Sequence, residues 1–229
     1  MFGFGRDKND NLPAKGNQPV KLDSGPMGAS ALGFAEKLIA VGIDGKATFD
    51  SAEKVAAKAL QEYPDPERAI KEIISDHRRL SAANGFVTGI GGFVTMAVAL
   101  PANVAGFYLL STRMVAAIAR IRGYDLKDPG LRSAILLTLV GADASDIMSK
   151  AGVVATGRLA GLASQQLPPP ALMVVNKAVG FRLIGQVGEK VVTRFGKAIP
   201  FAGGFVGAGI DVWMLHKVAD NAKAQFPRR

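Results

Sequence analysis

Between Arg79 and Arg113 the chain runs for 33 residues without a charge: L-S-A-A-N-G-F-V-T-G-I-G-G-F-V-T-M-A-V-A-L-P-A-N-V-A-G-F-Y-L-L-S-T. Charged residues make up 21% of the sequence, so a neutral run of this length calls for an apolar environment, either a protein core or lipid. A membrane span takes about 20 apolar residues; the stretch is long enough for one and too short for two. Asn84, Thr88, Thr95, the four glycines before Pro101 (Gly85, Gly89, Gly91 and Gly92) and Pro101 itself lower its hydropathy. The expectation is therefore two helices divided at Pro101 and buried in a protein core, with conditional insertion into lipid as the alternative.

The charge outside this run is unevenly placed. The formal net charge is +9, yet residues 1–76 hold 10 Lys/Arg against 12 Asp/Glu, and residues 77–229 hold 18 against 7. The basic excess thus shares the part of the chain that holds the apolar, glycine-rich segments, a combination suited to an anionic membrane surface or an acidic face of a membrane protein. Nucleic acid is the rival anion, but the chain has no RNP-like run, no zinc-ligand spacing and few aromatics to stack on bases. No nucleic-acid partner is expected. The absence of cysteine excludes disulfides, thiolate catalysis and Cys-ligated metal. The start, M-F-G-F-G-R-D-K-N-D-N-L-P, carries no apolar signal-like region, so the expected location is cytoplasmic, at the inner face of the cell membrane.

Residues 1–28 are rich in Gly, Pro, Asn, Asp and Lys without apolar periodicity and read as a flexible tail; residues 29–229 read as one helical domain. Helices are predicted from about Ser30 to Gly42, Asp50 to Tyr63 (Val55, Ala59 and Leu60 inward) and Glu67 to Leu80. Others follow over Pro101 to Gly123, Asp128 to Gly141, Asp143 to Gln166, Ala171 to Lys197, and from Pro200 onward. Asp128-Pro129 is a start signal with its own mechanism, a capping carboxylate followed by Pro at the first helical position. No segment alternates with the period of two that a half-buried strand needs. The fold class is all-α, a compact bundle with glycine-rich core helices. Gly85/Gly89, Gly157/Gly161 and Gly203/Gly207 each form a G-x-x-x-G that would admit a second helix at backbone distance, in the core or in a homo-oligomer.

Candidate functional residues fall into three groups. Lys190, Arg194 and Lys197 share a helix face, and with Arg78 and Arg79 they are the candidates for contact with anionic headgroups; a plain solvated face is the commoner role for such a stripe. Asp211 lies inside the last glycine zipper, and if buried it needs a cation, for which Arg113 and Arg120 are candidates. Asp143 and Asp146, at i and i+3, could act with Asp211 as acid and base toward a lipid or other hydrophobic substrate, although first-turn acids complementing a helix dipole account for that pair equally. Neither histidine suggests catalysis: Asp76 and His77 are adjacent on a helix and point apart, so His77 is expected to be solvated or to cap. T-G-I-G-G lacks the Lys-Ser/Thr of a phosphate-binding loop. Nothing calls for a metal or a cofactor, and no catalytic residue is assigned.

Three blocks in order resemble the bacterial EcsC family: G-F-V-T-G-I-G-G-F-V-T-M-A-V-A-L-P-A (85–102), R-M-V-A-A-I-A-R-I-R-G-Y-D (113–125) and G-K-A-I-P-F-A-G-G-F-V-G-A-G-I-D (196–211). The resemblance covers about residues 70–225 and leaves the first 65 or so particular to this chain. Where the family commonly ends the third block in Asn, this chain has Asp211. The family takes its name from a gene beside an ABC transport system linked to secretion, and the resemblance implies a bacterial role close to a membrane, with no catalytic residues to carry over. The functional expectation is a non-enzymatic protein that binds the membrane surface or membrane proteins, possible accessory roles being in transport or secretion. An enzyme acting on a hydrophobic substrate and a soluble interaction scaffold are the alternatives.

Overall fold

The computed structural model describes residues 25–82, 102–154, 157–195 and 203–229, with the side-chain surroundings of residues 82, 102–103 and 187–210 outside that description. Among the described residues the fold is helical throughout and contains no strand: α1 (Pro26–Lys37), α2 (Ala52–Glu62), α3 (Pro66–Ala82), α4 (Ala102–Ile121), α5 (Pro129–Val140), α6 (Ala144–Lys150), α7 (Pro169–Phe195) and α8 (Gly203–Gln225). Helix α1 begins at Pro26 and passes without interruption into a π-helical turn, Leu38–Ile43; residues 1–24 of the expected tail lie outside the described residues.

Helix α4 is the axis of the bundle. Every residue from Ala105 to Ala119 is buried, and α2, α3, α5, α8 and the π turn all pack on it. A helix apolar on all sides must be covered on all sides, which settles the last third of the neutral stretch. Val104–Ile121 is long and apolar enough to cross a membrane by composition, with a mean hydropathy of 1.4, yet 83% of it is buried inside the protein. Residues 83–101, the first part of that stretch with Gly85 and Gly89, lie outside the described residues. Helix α5 is the second buried rod, with Leu131, Ile135, Leu136 and Leu137 fully enclosed by α7, α8 and a 3-10 turn at Leu159–Ser164. It starts where the sequence signals: Asp128 Oδ1 accepts from the Leu131 amide at 2.8 Å and Pro129 follows as the first helical residue.

Two expected features take a different form. The helix predicted over Asp143–Gln166 is instead the short α6, a loop and the 3-10 turn. Gly152 and Gly157 sit at φ +72° and +99°, conformations that end a right-handed helix and suit glycine. Gly157 and Gly161 therefore do not share a helix face, and their G-x-x-x-G is not a packing zipper. In α2 the innermost residues are Ala52 and Ala56, while Val55, Ala59 and Leu60 are half-buried; Ser51, rather than Asp50, caps it by accepting from the Lys54 amide.

Close backbone approach does occur, at glycines in other pairings. A methyl group at Gly180 would overlap the Ala31 carbonyl, so α1 and α7 meet backbone to backbone there. At Gly42, a methyl would stand 2.8 Å from the Thr112 side chain, which fixes the π turn against α4.

Candidate functional site

Cross-helix contacts set the direction of each helix. Arg122 near the end of α4 holds Glu67 at the start of α3 at 3.0 Å, so these helices are antiparallel. Tyr124 meets Phe226 edge-on at 5.6 Å, and the Arg229 amide donates to the Arg122 carbonyl, so α8 ends beside the end of α4. In α7, Asn176 accepts from Ser133 near the start of α5, and ten residues later Gln186 Oε1 accepts from Tyr108 near the start of α4. The end of α3, the start of α4, the end of α7 and the start of α8 consequently gather at one end of the bundle. Residues 83–101 and 196–202 leave and rejoin the described fold at that end; Arg78 and Arg79 stand exposed on α3 about one turn short of it, next to His77, which meets Arg113 near the middle of α4. Arg79 is shared with Asp76 at 3.2 Å and Glu72 at 3.9 Å. Lys190 and Arg194 belong to the last turns of α7, their side chains outside the description, and Lys197 lies outside the described residues altogether.

Midway along the bundle sits a buried polar knot that the sequence reading assigned differently. His77 is 2% exposed, neither solvated nor a cap. Its Nδ1 lies 2.7 Å from the Ile73 carbonyl, an acceptor only, so Nδ1 carries the proton; Nε2 accepts from Arg113 Nε at 3.1 Å. Both ring nitrogens are satisfied in the neutral form. Desolvation, followed by the neighbouring guanidinium, pulls the His77 pKa down to about 3. Arg113, itself buried, stacks over the Phe49 ring at 4.1 Å. Burial lowers its pKa to about 10 while the Asp50 carboxylate pulls the other way, so it remains charged at neutral pH. Of the two arginines considered for Asp211, Arg113 donates to His77, and Arg120 Nε donates to Glu53 at 2.6 Å on the surface. Asp211 is half-buried on α8. Gly203 and Gly207 lie in the first turns of that helix, their surroundings outside the description.

At the opposite end an open cleft of about 590 Å³ is lined by the loop between α4 and α5 and by Asp44, Glu53, Arg120, Tyr124 and Arg132. Four of its charges are tied in pairs, with Arg132 forked onto Asp44 through two hydrogen bonds and Arg120 on Glu53. Asp143 and Asp146 do not line it. They are spent in surface pairs with Arg182 at 2.7 Å and Lys150 at 2.8 Å, and among the described residues no cluster of His, Asp and Glu could hold a metal. His216 is exposed, 3.4 Å from Asp220.

Four large apolar side chains face solvent among the described residues: Met27, Val154, Met173 and Trp213. Trp213, at 61% exposed, is the chain's single tryptophan. Sequence reading passed over it because an aromatic inside an apolar helix is usually a core residue.

A family match covers residues 35–229, which take in most of the helical core around the buried α4. The chain belongs to the EcsC protein family. The match begins at Phe34's neighbour Ala35, well before the boundary near residue 70 expected from the three blocks. The reason is structural: Leu38, Val41, Ile43, Ala52 and Ala56 belong to the same core as α4, so an EcsC unit cut at residue 70 would expose it. No curated protein and no solved structure matches the chain.

Proposed function

We propose that this EcsC protein is a non-enzymatic, peripheral membrane protein on the cytoplasmic side, which docks the Arg78 end of its bundle onto an anionic membrane surface. One observation carries the reading. Exposed Arg78 and Arg79 lie within about one turn of the bundle end where α3 stops before the apolar residues 83–101 and where α7, which carries Lys190 and Arg194, also ends. Basic residues near an apolar segment in the chain suit an interface of anionic headgroups over acyl chains, where each cation near the surface contributes about 1 kcal/mol. A place beside a transport or secretion system follows from the family resemblance and makes a membrane protein the neighbouring partner.

Flotation of the full chain with vesicles of phosphatidylcholine, alone or mixed with phosphatidylglycerol, tests this reading. Binding is expected to need the anionic lipid and to fall as salt is raised, because exposed charges are screened beyond about 10 Å at 0.1 M salt. Replacing Arg78 and Arg79 together by Gln should weaken binding about tenfold, at 1.4 kcal/mol per factor of ten. The larger share belongs to Arg78, since Arg79 is already partnered by Asp76 and Glu72. Binding that ignores lipid charge, or that never occurs, refutes the docking.

The enzymatic alternative rested on Asp143, Asp146 and Asp211. The first two are engaged in exposed ion pairs with different partners, Arg182 for Asp143 and Lys150 for Asp146, an arrangement that does not favour joint acid–base work.

A further inference from the structure

We infer that Trp213 is the side chain with which this protein grips the bilayer interface, its indole seated at headgroup level and Lys217 beside it on the phosphates. The inference rests on the membrane-docking reading above and names the contact within it. The inner face of α8 is complete without the indole: Leu215, Ala219, Ala222 and Phe226 recur at helical spacing and are fully buried, while Trp213 points outward. Lys217, one turn on, holds its ammonium 5.6 Å from the centre of the indole ring, so cation and ring present one combined surface.

Trp213 also stands at the height of the basic cluster. From Phe226, which is packed on Tyr124, the helix rises about 20 Å back to Trp213 at 1.5 Å per residue. From Glu67, held by Arg122, α3 rises about 18 Å to Arg79. Helices α3 and α8 pack directly on each other, so Trp213 and Arg79 lie at similar levels on adjacent, antiparallel helices.

The surroundings favour lipid over a protein partner. Beyond Trp213, the exposed residues on the described part of α8 are His216, Lys217, Asp220, Lys223 and Ala224. Met27, Val154 and Met173 belong to other segments. A tryptophan that anchors a protein interface sits among apolar neighbours that exclude water. Among the described residues the ring's exposed neighbours on α8 are polar, with a cation against it; this has the amphipathic character that concentrates tryptophan at membrane–water boundaries, and the chain's basic excess supplies the attraction to anionic lipid.

Because Trp213 is the sole tryptophan, the emission of the full chain reports on it alone. Adding mixed phosphatidylcholine and phosphatidylglycerol vesicles should shift the emission to the blue, and lipids brominated high on the acyl chain should quench it. Trp213→Ala should weaken flotation about tenfold, as expected for withdrawing a large apolar side chain from its contact; Lys217→Glu should weaken it as well. Both positions are exposed, so an unchanged thermal midpoint confirms that the variants are folded. If the chain floats while its emission stays unshifted and unquenched, or if Trp213→Ala floats undiminished, the inference falls and the docking reading stands. A chain that fails to float with anionic vesicles overturns both.

Discussion

His77 shows how much a single side chain's environment decides. In the folded chain its neutral ring donates to the Ile73 carbonyl and accepts from Arg113, and its pKa falls from 6.5 to about 3. A histidine with a depressed folded pKa binds fewer protons folded than unfolded. It therefore contributes stability that is fully present above about pH 6.5 and is lost as the pH falls toward 3. Between those limits its share of the slope approaches about 1.4 kcal/mol per pH unit. Thermal melts from about pH 6.5 down to 4.5, above most of the carboxylate range, should show a falling midpoint. In His77→Gln, whose amide can replace both hydrogen bonds without titrating, that slope should flatten; an unchanged slope would mean that His77 is not the titrating group. Arg113→Leu removes the guanidinium that His77 Nε2 accepts from and the cation on Phe49. A loss of about 1–3 kcal/mol in denaturant unfolding is expected, the cost of an orphaned buried polar group.

At the scale of elements, glycine and the caps carry the argument. A methyl at Gly180 would press on the backbone of α1, which cannot turn away as a flexible side chain could. Gly180→Ala should therefore destabilise by about 1–3 kcal/mol despite the better helix propensity of alanine. Gly33, in α1 with open space where a methyl would go, is the matched control. Gly33→Ala should be neutral or stabilise by up to about 1 kcal/mol, and equal effects at both positions would refute the contact. Asp128→Ala should cost about 1 kcal/mol by uncapping α5. The two kinds of element differ in how openly the sequence announces them. Asp128-Pro129 marks its helix start within two residues, since capping is a local hydrogen bond. The Gly180 contact depends on where α1 lies, and no spacing within α7 reveals it. The G-x-x-x-G motif at Gly157 and Gly161 misleads for the converse reason: its spacing is helical, while the positive φ of Gly157 takes it out of a helix.

For the whole molecule, the burial of α4 bears on how the protein meets a membrane. The described part of the neutral stretch is spent on the core rather than on lipid. Alkaline carbonate washing of bacterial membranes is thus expected to release the chain; retention in the pellet would show that residues 83–101, or α1 with its π turn, insert deeply. Among the described residues, helix α1 and that turn form the second segment apolar enough to span, at a mean hydropathy of 1.2, and 44% of it is buried.

The sequence by itself determined the helical class, the placement of α3, α4 and α5, the uneven charge and the family. The first three follow from short-range periodicity, capping chemistry or composition and the family from the resemblance of three motif blocks, all of which a linear reading can see. Only the tertiary structure decided that His77 is sealed against Arg113, that Gly180 lies against the backbone of α1 and Gly42 against Thr112, and that Trp213 faces outward. Those outcomes depend on which helix lies across from each residue, and residues far apart in the chain become neighbours only when burial of α4 draws the other helices around it.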